Sequence, residues 1–479
     1  MPSNDTDDAL SNGRPWLWTA AVLLACAPVV AALCLTLWRM PFPISEAVAI
    51  FEDVVNQPPA RFLTPDTSYY RPLFQIAIGT IWRQAPSLEA TLAWIKLLHI
   101  VPILVLVLLF IWHLRPRGLL DAAAAAAAVA ILVGSPGFRD NLELPLSYTI
   151  IGMPLALGAW ILLNRPSRAW HQPVIVLLTL VAVGFKEQGL VLVPLIVIAW
   201  WTRAPGARGV TAAAVVVMTA AYIVFRFSWR QSWPMFEQAV GFGFGEMEPP
   251  EAVARYGSFP YLIYAYSSLS TIANVLFAEP TRGTFSIIRA IVRSLHPEPW
   301  QLVHLGSSVG MTAVMAWWGV NASRRAIREG WSEEARLVVT LLVTLLACGV
   351  LSFNYSRDRL GGMAVPFYAL AAYYAIRSAA AHALQAPRVR CALIGMALMA
   401  IVGGWQLRAL GTVERTRLTS TRNQMEWFLL LPERRLEFKD RATYLRIMES
   451  MIEQGTAPGA PRPTRYPSLL RRFIAELPA

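Results

Sequence analysis

Residues 92–113, LAWIKLLHIVPILVLVLLFIWH, form an apolar run of membrane-crossing length carrying one lysine, Lys96. About 20 such residues span the hydrocarbon core as a helix, the structure that satisfies its own backbone groups where water is absent. The pattern recurs, and we expect spans near 15–38, 92–113, 119–134, 148–163, 173–185, 188–201, 210–226, 303–320, 336–353, 361–377 and 391–408. Alternating ten-residue strands of a transmembrane barrel are absent. Composition agrees: of 479 residues 56% are hydrophobic and 15% charged. The expected fold class is an all-α polytopic membrane protein with about 11 transmembrane helices and helices in its external loops.

Arginine placement orients the chain. Arg115 and Arg117, Arg165 and Arg168, Arg203 and Arg208, Arg324, Arg325 and Arg328, and Arg388 and Arg390 fall in short loops on one side. The positive-inside rule makes that side cytoplasmic, with the N-terminus inside and the C-terminal tail periplasmic in a bacterial inner membrane. The first apolar stretch has the length of a span and follows a polar acidic head, unlike a secretory signal. The formal net charge of +12 belongs to those loops and the tail, where it meets anionic lipid headgroups, and implies no nucleic-acid partner. Cys26, Cys34, Cys348 and Cys391 all fall within expected spans and suggest no disulfide framework.

Four regions follow: 1–227, an N-terminal transmembrane module with an acidic first external loop; 228–302, a long external loop that dips into the membrane or crosses it near 258–278; 303–410, C-terminal transmembrane helices; and 411–479, a polar amphipathic tail. Within the first loop, residues 71–84 begin with a proline in the first helical turn and suit a helix lying in the interface. Gly241, Gly243 and Gly245 alternate with Phe242 and Phe244, a pattern read as a flexible aromatic loop.

Some charges interrupt this apolar plan. An ionisable group at bilayer depth is costly, so Lys186-Glu187 within an apolar segment, and the acids and arginines bordering the external loops, are candidates for function. Among 42 basic residues, lysine occurs at 96, 186 and 439 alone, which singles out Lys186. A self-neutralising Lys186-Glu187 pair and an Arg357-Asp358-Arg359 pairing within one loop are the bland alternatives, as is an Arg71-Asp66 bridge.

In order and context these residues resemble the GT-C class of membrane glycosyltransferases, within it the protein O-mannosyltransferase-like branch and its bacterial relatives. The similarity rests on Ser45-Glu46 and Glu52-Asp53 after the first span, then Ser68-Tyr69-Tyr70-Arg71-Pro72-Leu73, then the helix holding Lys96 and His99. It continues with Pro136 and Asp140, the run Phe185-Lys186-Glu187 to Pro194, and Arg357 and Arg359 followed by Pro366. It covers about residues 15–200 well and 336–377 loosely. Two departures stand out: Ser45-Glu46 stands where the family usually has a pair of acids, and a lysine, Lys96, replaces its asparagine before the histidine.

The resemblance implies transfer of a sugar from a polyprenyl-phosphate donor to an acceptor hydroxyl on the external face. The acceptor is a glycan, lipid or protein. Such a reaction needs a carboxylate within hydrogen-bond reach of the hydroxyl and cations around the leaving phosphate. Glu46, Glu52 and Asp53 are the catalytic acids: either Glu46 acts alone or the working base is Glu52 or Asp53. Arg71, Lys186, Arg357 and Arg359 would bind the donor phosphate, arginine through its two-pronged fork. Tyr70, Asp140 and Glu187 would line the acceptor side of the cavity, with Glu143 read as a loop acid. No cofactor is identifiable; a divalent cation is compatible with the chemistry but not indicated, and the six histidines lack ligand spacing. The rivals are a transporter or flippase, an inactive membrane scaffold, and a polymerase or ligase of lipid-linked glycans.

Overall fold

The computed structural model describes residues 15–40, 71–86, 88–142, 148–228 and 296–425. It adds shorter stretches at 240–242, 245–247, 251, 253–254, 257, 261–277 and 291–292. The protein is mostly helical. Helices α1 (Pro15–Arg39), α2 (Pro72–Gln84), α3 (Leu88–Leu114), α4 (Leu119–Gly134), the single turn α5 (Pro136–Arg139), α6 (Thr149–Leu163) and α7 (His171–Phe185) come first. A 3-10 helix, Glu187–Val191, leads into α8 (Leu192–Trp201) and α9 (Gly209–Ser228). After strands β1 (Val240–Phe242) and β2 (Gly245–Met247) come α10 (Tyr261–Phe277), α11 (Pro299–Glu329) and α12 (Glu333–Leu351). Strand β3 (Tyr355–Ser356), a second 3-10 helix (Asp358–Ala364), α13 (Val365–Leu384) and α14 (Arg388–Met425) complete the order.

Among the described residues five helices are long and apolar enough to cross a bilayer: Trp16–Arg39, Ala90–Leu114, Gly209–Arg226, Glu333–Leu351 and Arg388–Ser420. That is fewer than the eleven expected. The other helices in expected places include α4, α6, α7 and α8, of 10 to 16 residues. At 1.5 Å per residue a 15-residue helix measures about 22 Å, short of a core about 30 Å thick. Helices α4, α6 and α13 are buried along most of their length. A helix enclosed by protein does not need a full-length apolar surface. The outer helices face the other way: Leu24, Leu35, Val101, Leu108, Val217 and Leu346 are exposed, as lipid contact requires. On α1 the exposed Trp16 and Trp38 lie about 33 Å apart along the axis, the separation of the two aromatic belts of a bilayer.

The alanine run 122–128 lets α4 pack closely against α1, α13 and α14. Where α4 ends, a Cβ on Gly134 would stand 3.0 Å from the Ala409 backbone nitrogen. Arg408 donates to the Gly134 carbonyl at 3.1 Å and Thr412 to the Val133 carbonyl at 3.0 Å. These bonds occupy carbonyls that a helix C-terminus leaves unpaired. They also place residues beyond 410 in the bundle: α14 continues unbroken to Met425, so the expected boundary at 410 falls inside a helix. Thr412 and Thr416 are buried, one turn apart on the face that begins with Arg408.

The arginine-bearing loops gather at one end. Gly206 donates to the Leu163 carbonyl, Arg208 to Ser167, and Arg336 to Asn164, while the Trp201 and Trp331 rings lie 5.6 Å apart. At the opposite end, α10 lies against the start of α11 and the end of α12. Thr271 bonds to Ser352 and Ser356 beyond the C-terminus of α12, and Ser308 and Thr312 near the start of α11 donate to the Phe277 and Leu276 carbonyls. At the same end Gly241 and Gly245 lie in paired strands: β1 pairs antiparallel with β2 and parallel with β3, while Gly243 and Phe244 lie outside the described residues.

Candidate functional site

The end opposite the arginine loops collects the charges that interrupt apolar sequence. The chain leaves α7 at Lys186, whose backbone is extended (φ −161°, ψ 146°), then turns into the Glu187–Val191 3-10 helix and on into α8. Gly189 makes this return possible, because a Cβ there would overlap the backbone of Ala182 and Val183. A second break has the same form. Arg357 is extended (φ −148°, ψ 150°), Asp358 opens the Asp358–Ala364 3-10 helix, and α13 follows. In both, a cation precedes the helix start and an acid occupies its first turn, where the helix dipole favours negative charge. The two 3-10 helices touch.

Neither break neutralises itself in the way its sequence suggests. Glu187 pairs with Arg71 at 3.1 Å and with Arg226 at 3.4 Å, not with adjacent Lys186. Asp358 faces Arg139 at 3.8 Å and accepts from Asn274 at 3.2 Å. Asp140 accepts from the Arg359 backbone N–H at 3.0 Å and stands 3.9 Å from the Arg357 guanidinium. The local reason is α5. Ser135 caps it by accepting from the Phe138 N–H, Pro136 begins it, and Asp140 follows directly. Gly137 allows the Asp358–Ala364 segment to lie against it, and Asn141 ties the two by donating to the Gly137 and Arg359 carbonyls.

Lys186 joins the two groups. Its side chain is 7% exposed and within electrostatic reach of Arg71, Arg359, Glu187 and Asp140. Among the described residues its Nζ forms no ion pair and no hydrogen bond. The neighbouring Gln188 Oε1 is also buried without a partner. Among the described residues the site therefore holds six cations, Arg71, Arg139, Lys186, Arg226, Arg357 and Arg359, against three carboxylates, Asp140, Glu187 and Asp358. A desolvated cation with two guanidinium groups near it and no bound carboxylate is an arrangement that suits an anion.

Of the sequence candidates, Arg71, Lys186, Glu187, Asp140, Arg357 and Arg359 thus come together. Glu46, Glu52, Asp53, Tyr70 and Glu143 lie outside the described residues, as does Asp66. Arg139 and Arg226 were not singled out from the sequence. Arg226 carried a signal, being an arginine in the last turn of an apolar span whose exit is on the arginine-poor side. Lys96 has a structural role. It donates at 2.7 Å to the Trp38 carbonyl in the last turn of α1, where a cation complements the helix dipole. No cluster of His, Cys, Asp and Glu suited to a metal occurs among the described residues. Scanned against protein-family models the chain matches none, and no curated protein matches it.

Proposed function

We propose that this protein is an integral membrane glycosyltransferase that moves a sugar from a polyprenyl-phosphate donor to an acceptor hydroxyl at the end of the bundle away from the arginine loops. The observation that carries the reading is buried Lys186, which forms no ion pair among the described residues and lies within electrostatic reach of Arg71 and Arg359. A phosphoryl group that gains charge as the sugar departs is stabilised by cations already fixed in a desolvated site, without reorganisation at the moment of reaction. The remaining support is the order of motifs shared with GT-C enzymes. Chain length also allows the acidic motif to serve this site. Lys96 anchors the end of α1 beside α3, and the seven residues from Arg39 to Glu46 reach at most about 25 Å.

In this mechanism Lys186, Arg71, Arg357 and Arg359 hold the donor phosphate, while Glu46, or Glu52 or Asp53, takes the acceptor hydroxyl proton as the oxygen attacks the anomeric carbon. The carbon–oxygen bond to phosphate breaks as the new glycosidic bond forms. Polyprenyl phosphate leaves with the electron pair. By the arginine rule this end is periplasmic in a bacterial inner membrane. The test is to reconstitute the protein in lipid with a panel of polyprenyl-phosphate sugars and measure release of polyprenyl phosphate. Turnover of one member supports the proposal; neither turnover nor binding of any member rejects it.

A further inference from the structure

At the arginine-loop end, a cleft of about 340 Å³ lies between the last turns of α3 and α6 and the start of α7. Leu109, Ile161 and Leu178 form its apolar wall, and Arg165, Arg168 and His171 its polar edge. The Arg165 guanidinium lies 4.1 Å from the centre of the Trp112 ring, and that of Arg115 lies 5.7 Å from the same ring. Arg165 feels the repulsion of both Arg115 and Arg168. None of the three forms an ion pair among the described residues. Glu333, the carboxylate acting on Arg165, is already engaged by His113 at 3.2 Å and Tyr374 at 3.5 Å. His171 is 3% exposed, lines the cleft, and its Nδ1 has no hydrogen-bond partner.

We propose that this cleft binds one anionic phospholipid, its phosphate among Arg115, Arg165, Arg168 and His171 and its first acyl carbons along Leu109, Ile161 and Leu178. Arg165 beside two further cations, none of the three paired with a carboxylate among the described residues, calls for an anion, and basic pockets between helices on the cytoplasmic side are where anionic headgroups bind. The wall favours a lipid over a free ion. Beyond the cleft the same helices carry the exposed Leu104, Leu108, Leu177 and Leu180, an apolar surface continuous with the bilayer. Trp112 at the edge is half exposed, as an interfacial tryptophan is. The site is separate from the charged cluster at the far end and does not depend on the proposed activity.

Gly158 supplies a variant that leaves every cation in place. A Cβ there would meet Leu178 Cδ1 at 3.8 Å and nothing closer, so Gly158→Leu extends into the cleft from a helix that leucine suits better than glycine. Purified protein, stripped of lipid in detergent, is titrated with phosphatidylglycerol, with phosphatidylcholine and with inorganic phosphate, and bound ligand is counted by native mass spectrometry. The expected result is one tightly held phosphatidylglycerol, with affinity at least tenfold weaker in both Arg165→Gln/Arg168→Gln and Gly158→Leu, and no comparable phosphatidylcholine. If the double variant does not fold, Gly158→Leu alone decides. Equal binding of the two lipids, binding of inorganic phosphate without lipid preference, or unchanged phosphatidylglycerol affinity in Gly158→Leu would each overturn the proposal.

Discussion

Arg71 reaches Glu187 across 116 residues of sequence, its Nε 3.1 Å from Oε2. The pairing fixes the start of α2 to the break after α7 and takes Glu187 away from Lys186. Arg226 engages the other oxygen of the same carboxylate, so the lysine next to that acid in sequence has no ion-pair partner among the described residues.

Breaking this bridge is expected to cost stability. The partners are about four-fifths buried, and a hydrogen bond to a charged group contributes about 1.5–3 kcal/mol. Glu187→Gln should lower the thermal midpoint. A double-mutant cycle with Arg71→Gln should show positive coupling, and strict additivity would mean that the bridge does not form in lipid.

Lys186→Met makes the opposite prediction for stability. Methionine replaces a buried lysine, without an ion pair among the described residues, with an apolar chain of similar length, so the thermal midpoint should hold or rise. Donor affinity should fall about ten- to a hundredfold, the equivalent of about 1.5–3 kcal/mol. A destabilised variant with unchanged donor affinity would assign Lys186 to the fold.

Arg357→Ala and Arg359→Ala should weaken donor binding more than acceptor binding, by about 1.5–3 kcal/mol each. The two differ in their secondary effects. Asp140 accepts from the backbone of Arg359 and faces the side chain of Arg357, so the alanine at 357 also removes an ion pair. Kd for a non-reacting donor analogue, measured beside thermal unfolding, separates the two contributions.

The acidic motif is expected to set the rate. Glu46→Gln should lower turnover by about 10²–10⁴-fold if Glu46 is the base, with insertion and thermal midpoint unchanged. Wild-type turnover in the triple variant Glu46→Gln, Glu52→Gln and Asp53→Asn would refute the mechanism.

Gly189→Ala tests whether the return after Lys186 is sterically fixed. A methyl group there overlaps backbone rather than a movable side chain, and overpacking of this kind costs about 1–3 kcal/mol or more. The variant should unfold at lower temperature and lose donor binding as Lys186 is displaced. Wild-type behaviour would show that the segment moves freely.

Hydropathy and the scatter of arginines determined the membrane class, the positions of most helices, the gathering of the basic loops at one end and the candidate cations Arg71, Lys186, Arg357 and Arg359. These are local properties: a span is a run of consecutive residues, and a breaking charge is visible where it stands. Only the tertiary structure decided which charges meet. Nothing near Lys186-Glu187 in sequence shows that Arg71 and Arg226 claim the glutamate, because that choice follows from how α2 and α9 pack beside α7. The same holds for Arg139, recruited when Gly137 let α5 lie against the Asp358–Ala364 turn. It holds for residues 411–420, whose polar composition hides a buried face of Thr412, Thr416 and Thr419, completed by the carbonyls at the end of α4. Helix length, too, depends on surroundings that hydropathy does not show, since a helix buried among its neighbours need match only the protein around it.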